Sequence, residues 1–199
     1  LDLLVALGMT RENITVCDSK GVIYQNRDDK MDVSKQRYAI ADNGQRVLAD
    51  AVVDKDIFLG VSGPNVLSVD MLKTMKADPI VLALANPQPE IWPPEAIAAR
   101  PDVIIGTGRS DFPNQVNNVL CFPFIFRGAL DVGATTINEE MKVACVLAIA
   151  DLALAEQNDR VASAYGTTGL SFGREYLIPK PFDPRLIVKI APAVAKAAM

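Results

Sequence analysis

Histidine is absent from all 199 residues of this chain. That excludes histidine-based triads, histidine proton shuttles and histidine-liganded metals within it. Any acid–base catalyst must be Asp, Glu, Lys, Tyr or Cys, or come from elsewhere. Long apolar runs are missing too, since nothing approaches the roughly 18 unbroken apolar residues of a membrane span. There is no basic block, and the net charge is −4, which argues against nucleic acid as a partner. Cysteine is scarce: Cys17, Cys121 and Cys145 all lie in apolar segments. They form neither a zinc spacing nor an even disulfide set, and reduced thiols in the cytoplasm are the simpler expectation. The first residues lack a basic lead and a cleavage site, so they do not read as a signal peptide.

Half of the residues are hydrophobic and 22% are charged, which suits one large soluble domain. Short apolar runs alternate with helical stretches, the pattern of an α/β fold with a mainly parallel sheet flanked by helices. Residues 1–7 read as the end of a helix, with Gly8 in the position that follows a helix C-terminus. Strands are expected at 14–18, 56–61, 79–85 and 102–106, each run having the length of a buried strand. Helices are expected at 45–53 and at 68–75, the latter capped by Ser68. The region after the fourth strand reads as helical, interrupted by Pro123. A long helix is expected from about Asn138 to Glu156, with Thr136 and Glu139 at capping-box spacing. It is apolar on nearly every side, which suggests deep burial or a subunit contact. Residues 179–184 read as a stiff extended segment, followed by a helix over 185–198 that bends or restarts at Pro192.

A dinucleotide-binding unit places a Gly-x-Gly-x-x-Gly turn after its first strand, and a ribose-binding carboxylate at the end of its second, about 20 residues on. The strand-end acid here is Asp18, and no such glycine turn occurs in the chain. The sheet is therefore expected to be Rossmann-like but to lack its first strand and glycine-rich turn. Further along, Asn117 and Asn118 directly precede the apolar stretch Val119-Leu120-Cys121-Phe122. A primary amide buried in such an apolar surround has to be hydrogen-bonded, and it offers donors and an acceptor without charge, suited to orienting a carboxylate, a hydroxyl or a nicotinamide amide. The alternative is that these asparagines cap a helix starting near Val119. Arg109 and Asp111 are expected to pair with each other at the surface.

Four segments carry a family resemblance: Leu82-Ala83-Leu84-Ala85-Asn86-Pro87-Gln88-Pro89-Glu90, Gly106-Thr107-Gly108-Arg109-Ser110-Asp111, the run 111–144 containing Asn117 and Asn118, and Ser171-Phe172-Gly173. In this order they closely resemble the C-terminal part of malic enzymes, above all the bacterial ones that often carry a further phosphate acetyltransferase-like domain. The resemblance runs over nearly all of the chain. It implies the NAD(P)-binding portion of an enzyme that oxidises L-malate at C2 and decarboxylates the product to pyruvate, with Mg²⁺ or Mn²⁺. The tyrosine, lysine and metal-binding carboxylates of that family have no matching positions here. No catalytic residue and no metal ligand is therefore assigned to the chain, and the chain alone is expected to be inactive.

The resemblance also implies roles for particular residues. Asp18 would accept from the adenosine ribose hydroxyls, whereas Ser19, Lys20 and Lys35 would meet a 2′-phosphate, so NADP is expected over NAD. The turn Gly60-Val61-Ser62-Gly63-Pro64 would lie beside the cofactor, making Ser62 a cofactor contact. Asn86 and Asn118 would touch both cofactor and substrate, and Asn117 the substrate. A homo-oligomer that binds neither nucleic acid nor membrane is expected. Two other readings remain: a non-catalytic nucleotide-binding or assembly module, and part of another α/β dehydrogenase.

Overall fold

A computed structural model of the chain describes residues 1–29, 31–155 and 171–199. It divides into two compact units, Leu1–Ile104 and Ile105–Met199. Among the described residues no helix is long and apolar enough to cross a membrane.

The first unit opens with helix α1, Asp2–Ala6, which ends at Leu7 and is followed by Gly8 at φ +102°, as its sequence position suggests. Strands β3 (Ile57–Gly60) and β4 (Ile80–Ala83) pair in parallel, Ile57 opposite Ile80 and Gly60 opposite Ala83. They belong to a three-stranded sheet in the order β3-β4-β5, where β5 is Ile104–Thr107. Its first residue, Ile104, donates its N–H to the Pro79 carbonyl, and the unit boundary falls just after it. Helix α4, Val69–Lys73, starts where expected because the Ser68 hydroxyl accepts from the Met71 N–H. Helix α5, Pro93–Ala99, begins on prolines whose missing N–H groups cost nothing at a helix start. Leu67, Leu72, Met75, Val81, Ile91 and Ala96 form the buried interior on this side. The expected Rossmann-like parallel sheet with flanking helices is present.

Two expectations for this unit need correction. The segment 14–18 is not one strand throughout: the strand is β1, Cys17–Asp18, paired with β2, Gly21–Val22, in an antiparallel hairpin that the Val16 carbonyl extends by accepting from the Ile23 N–H. Gly21 is required there, because at φ +102° its ideal Cβ would lie 1.9 Å from the Arg46 carbonyl oxygen. The helix expected over 45–53 shrinks to α3, Leu48–Ala51. The Asp50 carboxylate accepts from the backbone N–H groups of Arg46 and Val47, so the chain is turned, not helical, before Leu48. Between them lies α2, Val33–Arg37, capped by Asp32.

The second unit is built on three helices, α6 (Phe122–Asp131), α7 (Glu139–Leu154) and α8 (Arg185–Ala198). Helix α8 packs against both of the others. Leu120, Ile125, Met141, Cys145, Leu152, Leu186, Ile190 and Val194 form one buried cluster between them. Pro123 opens α6 instead of interrupting a helix, since a first-turn proline removes no helical bond. Asn138, not Thr136, caps α7: its side-chain oxygen accepts from the Met141 N–H at 2.9 Å. Helix α7 is not buried all round, for Leu147 and Leu154 are half or more exposed. Its expected end at Glu156 lies outside the described residues. Helix α8 runs unbroken through Pro192. The helical bond lost there is that of the Val188 carbonyl, on a residue exposed to water. Residues 179–184 contain a turn instead of a fully extended run, with the Asp183 N–H on the Lys180 carbonyl.

Gly128 lets α6 and α8 approach closely. An added Cβ would stand 2.5 Å from the Ala191 carbonyl oxygen and 2.8 Å from the Val194 Cβ. Gly128→Ala is therefore expected to cost about 1–3 kcal/mol by overpacking. Thermal unfolding should show a Tm lower by several degrees, and an unchanged Tm would mean that the helices are not in close contact there.

Candidate functional site

Asp18 ends β1 with its carboxylate fully engaged. Its Oδ1 accepts from the Lys20 backbone N–H at 2.9 Å and from Arg27 Nη1 at 3.0 Å. Its Oδ2 accepts from Arg27 Nη2 at 2.7 Å and from Lys35 Nζ at 2.7 Å. A carboxylate has about four lone-pair sites, so a ribose hydroxyl could donate to Asp18 only by displacing one of these partners. The Arg27 guanidinium, then Lys35 and the Lys20 N–H, hold the Asp18 carboxyl well below the usual carboxylate range, against the opposing effect of burial. Ser19 and Lys20 are exposed on the hairpin turn, and the Lys20 ammonium lies 3.8 Å from Asp29. The structure thus places the Lys35 ammonium and the Lys20 backbone N–H on Asp18, with the Lys20 ammonium turned to Asp29.

Arg27 was not foreseen. It is buried, its Nη1 also donates to the Val22 carbonyl at 3.2 Å, and its Nε is buried without a hydrogen-bond partner among the described residues. The ion pairs here set three cations, Arg27, Lys35 and Lys20, against two acids, Asp18 and Asp29, while Asp32 accepts from the Lys35 N–H beside them. A charge-assisted, two-pronged arginine contact is the strong kind. The loop around Arg27 mixes both signs with no periodicity, so no sequence signal marked which cation would turn inward.

The turns after β3 and β4 share one buried carboxylate. Glu90 has no exposure; its Oε1 accepts from the Ser62 N–H at 2.9 Å and its Oε2 from the Ala85 N–H at 3.0 Å. Gly60 is needed beside it, because a Cβ there would come within 2.5 Å of the Glu90 carboxyl carbon. Ser62 and Asn86 are left exposed at these strand ends. The Asn86–Pro87 peptide is cis. The Asn86 side-chain nitrogen lies only at the limit of hydrogen bonding, 3.5 Å from the Leu84 carbonyl. Ligands of open α/β sheets bind outside the carboxyl ends of strands, and exposed polar groups held by a buried brace suit that place. Glu90 belongs to a quoted motif, but the sequence did not show that it points inward.

In the second unit the buried amide is Asn114. It is 4% exposed, with φ +55°. Its side chain donates to the carbonyls of Ile105 and Arg174 and accepts from the Leu177 N–H. Asn117 and Asn118, by contrast, are exposed, which corrects the expectation of an amide in an apolar surround. Asn117 caps a 3₁₀ turn, Asn118–Leu120, by accepting from the Val119 N–H, so the capping reading describes its present role. The Asn118 side chain makes no hydrogen bond among the described residues. Arg109 and Asp111 form the expected pair, with two contacts of 2.8 Å. Among the described residues no three His, Cys, Asp or Glu side chains lie together so as to hold a metal ion.

Comparison with known proteins matches residues 5–165 to the family described as malic enzyme, NAD binding domain. The chain is 73% identical to the NADP-dependent malic enzyme of Haemophilus influenzae and 69% identical to that of Escherichia coli, in each case over the whole chain and 26% of the relative. It is 59% identical to the NAD-dependent malic enzyme of Rhizobium meliloti over 198 residues, again 26% of that protein. Among solved structures, the NAD-dependent malic enzyme of Thermotoga maritima superposes with a TM-score of 0.81 at 32% identity, covering 98% of this chain and 47% of that one. The malic enzyme of Entamoeba histolytica gives 0.82 at 32% identity, covering 99% and 39%. The chain belongs to the malic enzyme family, whose NAD-binding domain it matches. It spans about a quarter of the length of these curated relatives.

The Asp18 cluster makes stability depend on pH in a defined direction. The folded carboxyl is depressed, so its contribution is fully present above the unfolded value near about 4 and fades as pH falls toward the folded one. Asp18→Asn leaves the buried Arg27 without its counter-charge, an expected loss of about 1–3 kcal/mol at pH 7. Urea unfolding of both proteins should show this difference at pH 5–7 and show it shrinking below about pH 4. A difference independent of pH would separate the loss from the ion pair.

Proposed function

We propose that the chain is the NAD(P)-binding part of an enzyme that oxidatively decarboxylates L-malate to pyruvate and CO₂, with NADP preferred over NAD. The observation that carries the cofactor choice is the state of Asp18: its acceptor sites are filled by Arg27, Lys35 and the Lys20 N–H. A carboxylate so neutralised neither calls for a ribose hydroxyl donor nor strongly repels a phosphate, and the surplus cations favour a dianion. In this reading Lys35, Lys20 and Ser19 hold the 2′-phosphate, and Asp18 positions them. Ser62 and Asn86 line the cofactor at the strand ends, and Asn86, Asn118 and Asn117 orient the substrate. NADP accepts the hydride; the residues of this chain bind and orient.

The described residues offer no ligand set for a metal ion. The malate-bound Mg²⁺ or Mn²⁺ expected of the complete enzyme would rest on residues outside these. The complete enzyme is further proposed to be a cytoplasmic homo-oligomer. The names of the relatives include both NADP- and NAD-dependent enzymes, so the cofactor preference needs its own test.

Lys35→Ala in the complete enzyme is expected to raise KM for NADP about tenfold or more while sparing NAD, the effect of one lost charged contact of about 1.5–3 kcal/mol. Steady-state kinetics with both cofactors decide; an equal effect on both removes Lys35 from the phosphate site. Asn118→Ala is expected to lower kcat/KM for malate roughly tenfold to a few hundredfold with little change in Tm. Normal kinetics with a Tm lower by several degrees would instead assign Asn118 a structural role.

A further inference from the structure

Cys121 and Cys145 take no part in the proposed site, yet their sulfurs lie 3.3 Å apart, with the Cys145 thiol donating to Cys121. Cys121 occupies the cap position before α6 and is partly exposed. Cys145 is on the inner face of α7, 1% exposed, within the cluster that includes Leu120, Ile125 and Met141. A disulfide needs a sulfur separation of about 2.05 Å, so the two atoms have to close by only a little over an ångström. Cys17, the remaining cysteine, is part of the first unit.

We propose that Cys121 and Cys145 form a redox-modification site at which a hydroperoxide converts two thiols into a disulfide. Their environments assign different roles. The hydrogen bond from Cys145 lowers the Cys121 thiol to about 7, against burial, which opposes it. A cap position at a helix N-terminus favours a thiolate in the same direction. Cys145 is pushed strongly up, first by the hydrogen bond it makes to Cys121 and then by burial. The solvent-reachable sulfur is therefore the nucleophile, and the enclosed one remains a thiol until it is needed.

The reaction balances with hydrogen peroxide as oxidant. The Cys121 thiolate attacks one peroxide oxygen and breaks the O–O bond; the departing hydroxide takes a proton and leaves as water. The sulfenic acid formed on Cys121 is then attacked by the Cys145 sulfur. The S–O bond breaks, and the Cys145 proton leaves with that oxygen as a second water. Two thiols lose two electrons, and the peroxide is reduced to two waters. A small dithiol reverses the change. The disulfide would tie the segment carrying Asn118, three residues before Cys121, to helix α7. An effect on malate turnover rests on the function proposed above, whereas the thiol chemistry does not.

The test uses the full chain, hydrogen peroxide under native conditions, and mass mapping of the non-reduced digest. The expected product is a cross-link between the peptides containing Cys121 and Cys145, lighter by two hydrogens and reversed by dithiothreitol. Cys121 should be consumed about tenfold or more faster than Cys17. In Cys145→Ala, Cys121 should stop at a sulfenic acid that dimedone traps. The proposal is overturned if wild-type Cys121 passes to sulfenic or sulfinic acid without the cross-link, or if Cys17 reacts as fast as Cys121. Because no malate or dinucleotide is present, a negative result leaves the function reading untouched.

Discussion

A carboxylate whose lone pairs are all engaged is no longer a free acceptor, and Asp18 is held in that condition by Arg27 above all. The same guanidinium reaches the Val22 carbonyl, so it ties the charge of β1 to the backbone of β2. The hairpin, the neutralisation of Asp18 and the placement of Lys35 thus depend on one buried cation. The opposite charge at hydrogen-bond distance offsets part of the cost of burying it, and breaking such a pair is worse than never having it. The resulting corner is suited to accepting negative charge, not to donating a lone pair.

Glu90 plays a comparable role among the strands. Parallel strands end in separate turns that have no ladder partner beyond the last pair. Glu90 supplies one, taking the Ser62 and Ala85 N–H groups just past β3 and β4 on its two oxygens. Ser62 and Asn86 are consequently presented outward from fixed backbone. In the second unit Asn114 braces without charge, joining Ile105 of β5 to residues 174 and 177. In all three places a buried polar group is satisfied by backbone or by a counter-ion, and exposed polar side chains sit beside it.

Much of this was legible in the sequence. The apolar runs of β3, β4 and β5 have strand length, and the Ser68 cap and Gly8 stop are local signals that the structure follows. What could not be read depends on partners distant in the chain. Periodicity finds an extended segment at 14–18 but not that its pairing is with β2. Capping-box spacing pointed to Thr136, whereas the structure caps α7 with Asn138. The start of the run 111–144 pointed to a buried amide, but Asn114, Asn117 and Asn118 compete there. A left-handed backbone at Asn114 and a carbonyl 60 residues away decide which one turns inward. Arg27 and Glu90 escaped for the same reason: charge alone does not indicate burial until its counterpart is in place.

The charge balance at Asp18 is tested most directly by two small ligands that differ only in the phosphate concerned. Adenosine 2′,5′-bisphosphate and adenosine 5′-monophosphate can be compared by calorimetry on the complete enzyme at low and moderate salt. A cationic corner around a neutralised Asp18 predicts that the 2′-phosphorylated ligand binds about tenfold or more tighter, with the advantage falling as salt is added. Equal affinities, or tighter binding of the ligand with a free 2′-hydroxyl, would show that Asp18 still acts as a ribose acceptor.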